Sequence, residues 1–150
     1  MDRGPVTSIT NQIMNKSLRI EDEKTFAKFI HDVDELHDAL LHEAVLLRPD
    51  YVNESVEMFG DVELPEAKLM FQSPSLDIHA VQINLKRVSR FRFDPKREFC
   101  LAGEVKDKEI ILYLSGKQFS ECSEIRAGEV EYKILGKEFR GSEYKLIRHD

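Results

Sequence analysis

Side chains able to hold a metal ion or move a proton crowd between positions 31 and 43, among them His31, Asp34, His37, Asp38, His42 and Glu43. Imidazoles and carboxylates brought together in this way bind zinc and other divalent ions. The spacing, however, matches no strong motif. His42-Glu43 is not followed three residues on by a second histidine, so HExxH is absent. On a helix, His31, Asp34, Glu35 and Asp38 would share a surface with His42 one turn beyond. On a strand, His37 and Glu43 would face the same way but stand too far apart for one ion. A solvated acidic face accounts for the same residues without any ligand, so no metal and no cofactor is assigned. His37, Asp38, His42 and Glu43 are retained as the catalytic candidates of an alternative reading, a metal-dependent enzyme.

Other catalytic signatures are missing. The seven glycines are scattered, and neither GxGxxG nor GxxxxGK[ST] occurs. There is no GxSxG elbow. Cys100 and Cys122 form no CxxC pair and have no zinc-finger partner spacing. They read as buried thiols of a cytoplasmic protein.

The second concentration of chemistry is basic. Lys86 to Arg97, KRVSRFRFDPKR, carries Lys86, Arg87, Arg90, Arg92, Lys96 and Arg97 with Phe91 and Phe93 interleaved. Cations among aromatics suit single-stranded nucleic acid, which binds by charge and base stacking. The alternation argues otherwise. If Arg90 and Arg92 face solvent, Phe91 and Phe93 face the core and cannot stack on bases. Arg87, Arg90, Arg92, Lys96 and Arg97 are therefore expected to contact an acidic protein partner, with weak nucleic-acid binding through 86–97 as a further alternative.

These residues need a scaffold, and the chain predicts one α+β domain from residue 17 onward, behind a flexible segment at 1–16 in which Met14 offers a second possible start. Glu21-Asp22-Glu23 favours a helix start, and Phe26, Phe29, Ile30 and Val33 make one apolar stripe, so a helix is predicted from about Glu21 to Val33. Leu36 to Arg48 fits two templates, a continued helix or a strand, and periodicity does not choose between them. Tyr51 to Ala67 reads mostly as loop. Thereafter strand signals dominate. Val81, Ile83 and Leu85 alternate with polar residues, Ile110 to Leu114 is a continuous apolar run, and Val130, Tyr132 and Ile134 alternate with Glu129, Glu131 and Lys133. Leu69-Met70-Phe71 and Phe99 to Gly103 are shorter candidates. Gly136-Lys137 reads as a hairpin turn into Glu138 to Arg140, and Tyr144 to Arg148 as a last strand. The expected fold is a helix packed on a mostly antiparallel, strongly twisted sheet of seven to nine strands, curled as a partial barrel or sandwich.

Charge is unevenly placed. Residues 1–65 hold 14 acidic and 6 basic side chains, net −8, whereas 66–150 hold 14 and 16, net +2. The acidic half argues against general nucleic-acid binding. No stretch approaches the ~20 apolar residues of a membrane span, and no signal peptide is apparent.

The order Leu36-His37-Asp38-Ala39, then a loop, then LMF…SPS…VQINLKRVSRFRF, resembles a diffuse group of small β-rich bacterial proteins, some of them similar to immunity proteins of polymorphic-toxin systems. In that group an HDA/HDS segment introduces the first strand of the domain. The resemblance covers about Leu36 to Leu114. It implies that Leu40 to Leu47 is a strand, and it implies no catalytic residue. With no complete catalytic motif and a charge asymmetry suited to steering a partner, the expectation is a non-enzymatic protein-binding module.

Overall fold

The computed structural model describes residues 15–48, 51–59, 64–74, 77–92, 100–115 and 123–139. Within them the elements follow in the order β1 (Leu18–Ile20), α1 (Glu23–Asp32), β2 (Leu40–Leu47), β3 (Tyr51–Val52), β4 (Met58–Phe59), β5 (Glu66–Gln72), β6 (Ala80–Arg92), β7 (Cys100–Lys106), β8 (Glu109–Ser115) and β9 (Ser123–Leu135). Seven strands form one antiparallel sheet, ordered β2-β5-β6-β9-β8-β7 with β1 added beside β9. Among the described residues β2 and β7 do not pair, so the sheet that these strands form is open and is not a closed barrel. The fold is α+β, as the strand signals predict. No helix among the described residues is long and apolar enough to cross a membrane.

Two 13-residue strands, β6 and β9, run side by side as the central ribbon. At one end β5 joins β6 while β1 joins β9; at the other, β8 joins β9. The ribbon bends where its neighbours change. Leu85 faces Val130 and Val88 faces Ala127, so both strands spend three residues between successive core positions. Arg87 makes the bend with φ 53°, and a bulge follows between Val88 and Arg90. A bulge adds a residue and increases local twist. Core-facing residues of β6 are thus Val81, Ile83, Leu85, Val88 and Phe91, not a strict alternation. Phe91 does pack on the core, as predicted. Phe93, Lys96, Arg97 and Cys122 lie outside the described residues.

α1 forms because its first turn is capped from both sides. Asp22 accepts from the Thr25 amide at 2.8 Å, and the Thr25 hydroxyl accepts from the Asp22 amide at 2.9 Å. This is a capping box with Thr in the usual Glu or Gln place. The amide hydrogen bonds hold the Asp22 carboxyl below its ordinary pKa. The predicted stripe is buried: Phe26, Phe29 and Val33 face the sheet, with Ile30 half-buried beside them. Phe29 lies 4.6 Å from Tyr132, ring centre to ring centre. The Tyr132 hydroxyl donates to Asp32 Oδ2 at 2.8 Å, and Lys28 Nζ meets the same oxygen at 2.6 Å. Helix and sheet are therefore joined by an apolar contact closed off by a charge-assisted hydrogen bond. At β7 the approach is closer still. A Cβ added at Gly103 would lie 2.1 Å from the Ile111 carbonyl oxygen and 2.6 Å from Phe26 Cζ.

Several open or mistaken readings are settled here. Leu36 to Arg48 is not a continued helix: Leu40–Leu47 is a strand paired with β5. Its register slips between Leu41 and Glu43, which makes His42 the extra residue. Within 51–67, expected mostly as loop, Tyr51–Val52 and Met58–Phe59 pair as a short ribbon, closed by Asn53 Oδ1 accepting from the Ser55 and Glu57 amides at 3.0 and 2.8 Å. Glu138 does not begin a strand. Lys137–Phe139 is a single 3₁₀ turn, because Phe139 packs against Met70, Ala80 and Leu135 on the sheet face away from α1. Residues 144–148 lie outside the described residues.

Two outcomes are expected. Gly103→Ala forces backbone apart between β7 and β8 and lowers unfolding free energy by about 1–3 kcal/mol in denaturant titration. Tyr132→Phe removes the bond to Asp32 at a cost of about 1–2 kcal/mol. It also changes the alkaline limb of stability. Burial first, then the Asp32 bond, raises the Tyr132 pKa. The folded chain therefore keeps this proton where the unfolded chain loses it, so the contribution is complete below about pH 10 and fades as pH rises further. Unfolding followed above pH 10 is expected to show a shallower decline for Tyr132→Phe than for the native chain.

Candidate functional site

The His/Asp/Glu segment is spread over three different elements. His31 sits exposed in the last turn of α1. The chain then reverses hand: Asp34, Glu35 and Leu36 have φ of 52, 54 and 53°, and Asp38 has 59°. Left-handed backbone costs a residue with a Cβ roughly 1–2 kcal/mol, so this turn is held by what it gains. Leu36 and Ala39 enter the core, and the His37 amide donates to Asp34 while the Ala39 amide donates to Leu36. The intervening His37 and Asp38 are turned outward, with side chains 73% and 63% exposed and Nε2 3.4 Å from Oδ2. His42 and Glu43 follow at the slipped register in β2. Among the described residues no three His, Cys, Asp or Glu side chains converge as a metal-binding group. The fold thus does not assemble His37, Asp38, His42 and Glu43 into one ligand set.

The basic segment makes a surface. β6 turns Lys86, Arg87, Arg90 and Arg92 away from the core residues Leu85, Val88 and Phe91. They share the sheet face opposite α1 with Arg19 of β1 and Arg126 of β9. Two carboxylates organise them. Glu129 lies directly across from Lys86; it accepts from Arg19 and is 3.8 Å from Lys86 Nζ and 3.9 Å from Arg87 Nη1. Arg87 Nη2 also donates to the Gly128 carbonyl at 3.0 Å. Glu124 lies across from Arg92; its Oε2 is 2.8 Å from Arg90 Nε and 3.1 Å from Arg126 Nε. Arg90 and Arg126 oppose each other across the strands, a repulsive placement, and Glu124 bridges it. That bond raises the Arg126 pKa above its ordinary value.

The layering decides what solvent meets. The Glu129 and Glu124 side chains are only 14% and 18% exposed, while Arg19, Lys86, Arg87 and Arg90 are 51–59% exposed. Carboxylates lie beneath and cations stand above. Of the predicted contact residues, Arg87, Arg90 and Arg92 are brought onto one face.

Two groups of site residues escape a linear reading. Glu124 and Glu129 are distant in sequence from the arginines that they position. Glu23, Phe26, Ala27, Gly103, Glu104 and Val105 line a groove between α1 and β7. A glycine inside a strand, here Gly103, is the one local signal of such a close approach.

Because the cations of these pairs stand about half in solvent, which screens the attraction, each pair is worth about 0–1 kcal/mol. Arg90→Gln and Arg92→Gln are therefore expected to unfold within about 1 kcal/mol of the native chain, as measured by denaturant midpoint, and both suit binding experiments.

Comparison with protein-family models, with curated proteins and with solved structures yields no match for this chain.

Proposed function

We propose that this chain is a non-enzymatic protein-binding module of the cytoplasm that docks an acidic surface of its partner on the arginine face of β6. One observation carries the reading: Arg87 and Arg90 stand more than half exposed above half-hidden carboxylates that fix their positions. Arginines held in place before contact lose less freedom on binding, and their field speeds encounter with an opposite charge. Some of the small β-rich proteins that residues 36–114 resemble are themselves similar to immunity proteins, and the specific form of this proposal is an immunity-like module that neutralises a toxin.

Phe91 packs against the core and is not presented for base stacking, which favours protein over nucleic acid as partner. The metal-dependent enzyme is the weaker alternative, since His37 and Asp38 stand in the open on a turn and converge with no third ligand among the described residues.

The test is affinity capture from the native host with the native chain and with Arg92→Glu and Arg90→Glu/Arg92→Glu variants. An acidic protein retained at low salt, released as salt rises, and lost by about tenfold or more in the double variant is the expected result. Capture that is indifferent to both charge reversals, or retention of nucleic acid in its place, overturns the reading.

A further inference from the structure

On the helix side of the sheet lies a second surface, unrelated to the arginine face. α1 and the end strand β7 form the walls of a groove of about 220 Å³ lined by Glu23, Phe26, Ala27, Gly103, Glu104 and Val105. On its inner side β7 is paired with β8, Gly103 to Leu112 and Val105 to Ile110. Among the described residues no strand and no backbone hydrogen bond meets its outer side. An edge of this kind offers a row of amide and carbonyl groups to another extended chain.

The groove gives that edge side-chain selectivity. Gly103 has no side chain, and Phe26 of α1 lies directly over it. Val105 flanks the same hollow and packs partly into the core. In a chain laid beside β7, every second side chain would turn toward α1. The one level with Gly103 would enter the hollow between Phe26 and Val105, where only an apolar group gains from burial. Both charged groups lining the groove are carboxylates. Glu23 stands on the helix side, whereas Glu104 alternates to the opposite face of β7 from Gly103 and Val105. A cation on either face of the incoming chain would therefore find a carboxylate. Lys106, exposed at the end of β7, limits the docking stretch to Leu101–Val105.

We propose that this groove takes up an extended peptide segment of another protein as an eighth strand on β7, with an apolar side chain between Phe26 and Val105 and lysine or arginine at adjoining positions against Glu104 and Glu23. Main-chain hydrogen bonds supply affinity, and the hollow and two carboxylates supply choice. The site is independent of the arginine face, so either can fail alone.

A random-peptide phage library panned against the full chain tests it. Enrichment of an apolar residue flanked by lysine or arginine is expected. The enriched peptide should perturb the amide resonances of 101–105 and of the first turns of α1. Methylating its backbone amides along one edge should weaken it by about tenfold or more. Glu104→Lys, an exposed substitution that leaves the fold intact by circular dichroism, should weaken it by a similar factor, and Glu23→Lys/Glu104→Lys further still. Failure to enrich any sequence, enrichment of acidic peptides, resonance changes confined to Lys86–Arg92, or indifference to backbone methylation would each overturn the proposal.

Discussion

Everything in this molecule hangs on the pairing of β6 with β9. These two strands are hydrogen-bonded to one another over nearly their whole length, and every other strand of the main sheet reaches the core through one of them. The bend in the ribbon at Arg87 and Gly128 is therefore a constraint on the whole fold. Before it, Ile83 and Leu85 face Tyr132 and Val130, beneath the helix; after it, Val88 and Phe91 face Ala127 and Ile125, alongside β8. One continuous core is built across two differently aimed halves. The same bend throws Lys86, Arg87 and Arg90 outward together, so the architecture that closes the core also gathers the cations.

The helix is fitted to that core at two places of different character. At Tyr132 the contact is a ring pair sealed by a hydrogen bond to Asp32. At Gly103 it is a contact of a ring with bare backbone. The first tolerates small shifts through the rotation of a hydroxyl. The second does not, since protein interiors are close-packed and carbonyl oxygens of β8 stand immediately behind. A rigid helix beside an open strand edge is what leaves a defined groove there instead of a variable gap.

How much of this the chain discloses depends on how local each cause is. The alternation at Val130, Tyr132 and Ile134 and the apolar run at Ile110–Leu114 are local, and they identify β9 and β8 directly. The helix start at Asp22 is local too, in its carboxylate and in Thr25 three residues on. The left-handed turn at Asp34–Asp38 has no such signal. None of its residues is glycine, and it exists because Leu36 and Ala39 find places in a core made by distant strands. For the same reason the helix and strand readings of Leu36 to Arg48 balance on propensity alone, and pairing with β5 decides between them. At the candidate site, the arginines are plain in the sequence and their orientation follows from Phe91. Their carboxylate supports are not, since Glu124 and Glu129 reach them only through sheet pairing. The groove is least legible of all: its two walls meet only after the sheet is complete.

The pairing of β1 with β9 joins Leu18 to Tyr132, nearly opposite ends of the described chain. On the ribosome, the first strand is made long before its partner. Until β9 appears, Ile20 of β1 and Phe29 of α1 lack the strand against which they pack, and the helix is too short to persist by itself. Contacts between such remote positions slow folding and leave apolar surface waiting. The order of synthesis thus makes β9 the step on which β1 must wait, and the apolar residues of β1 and α1 stay uncovered until that step is reached.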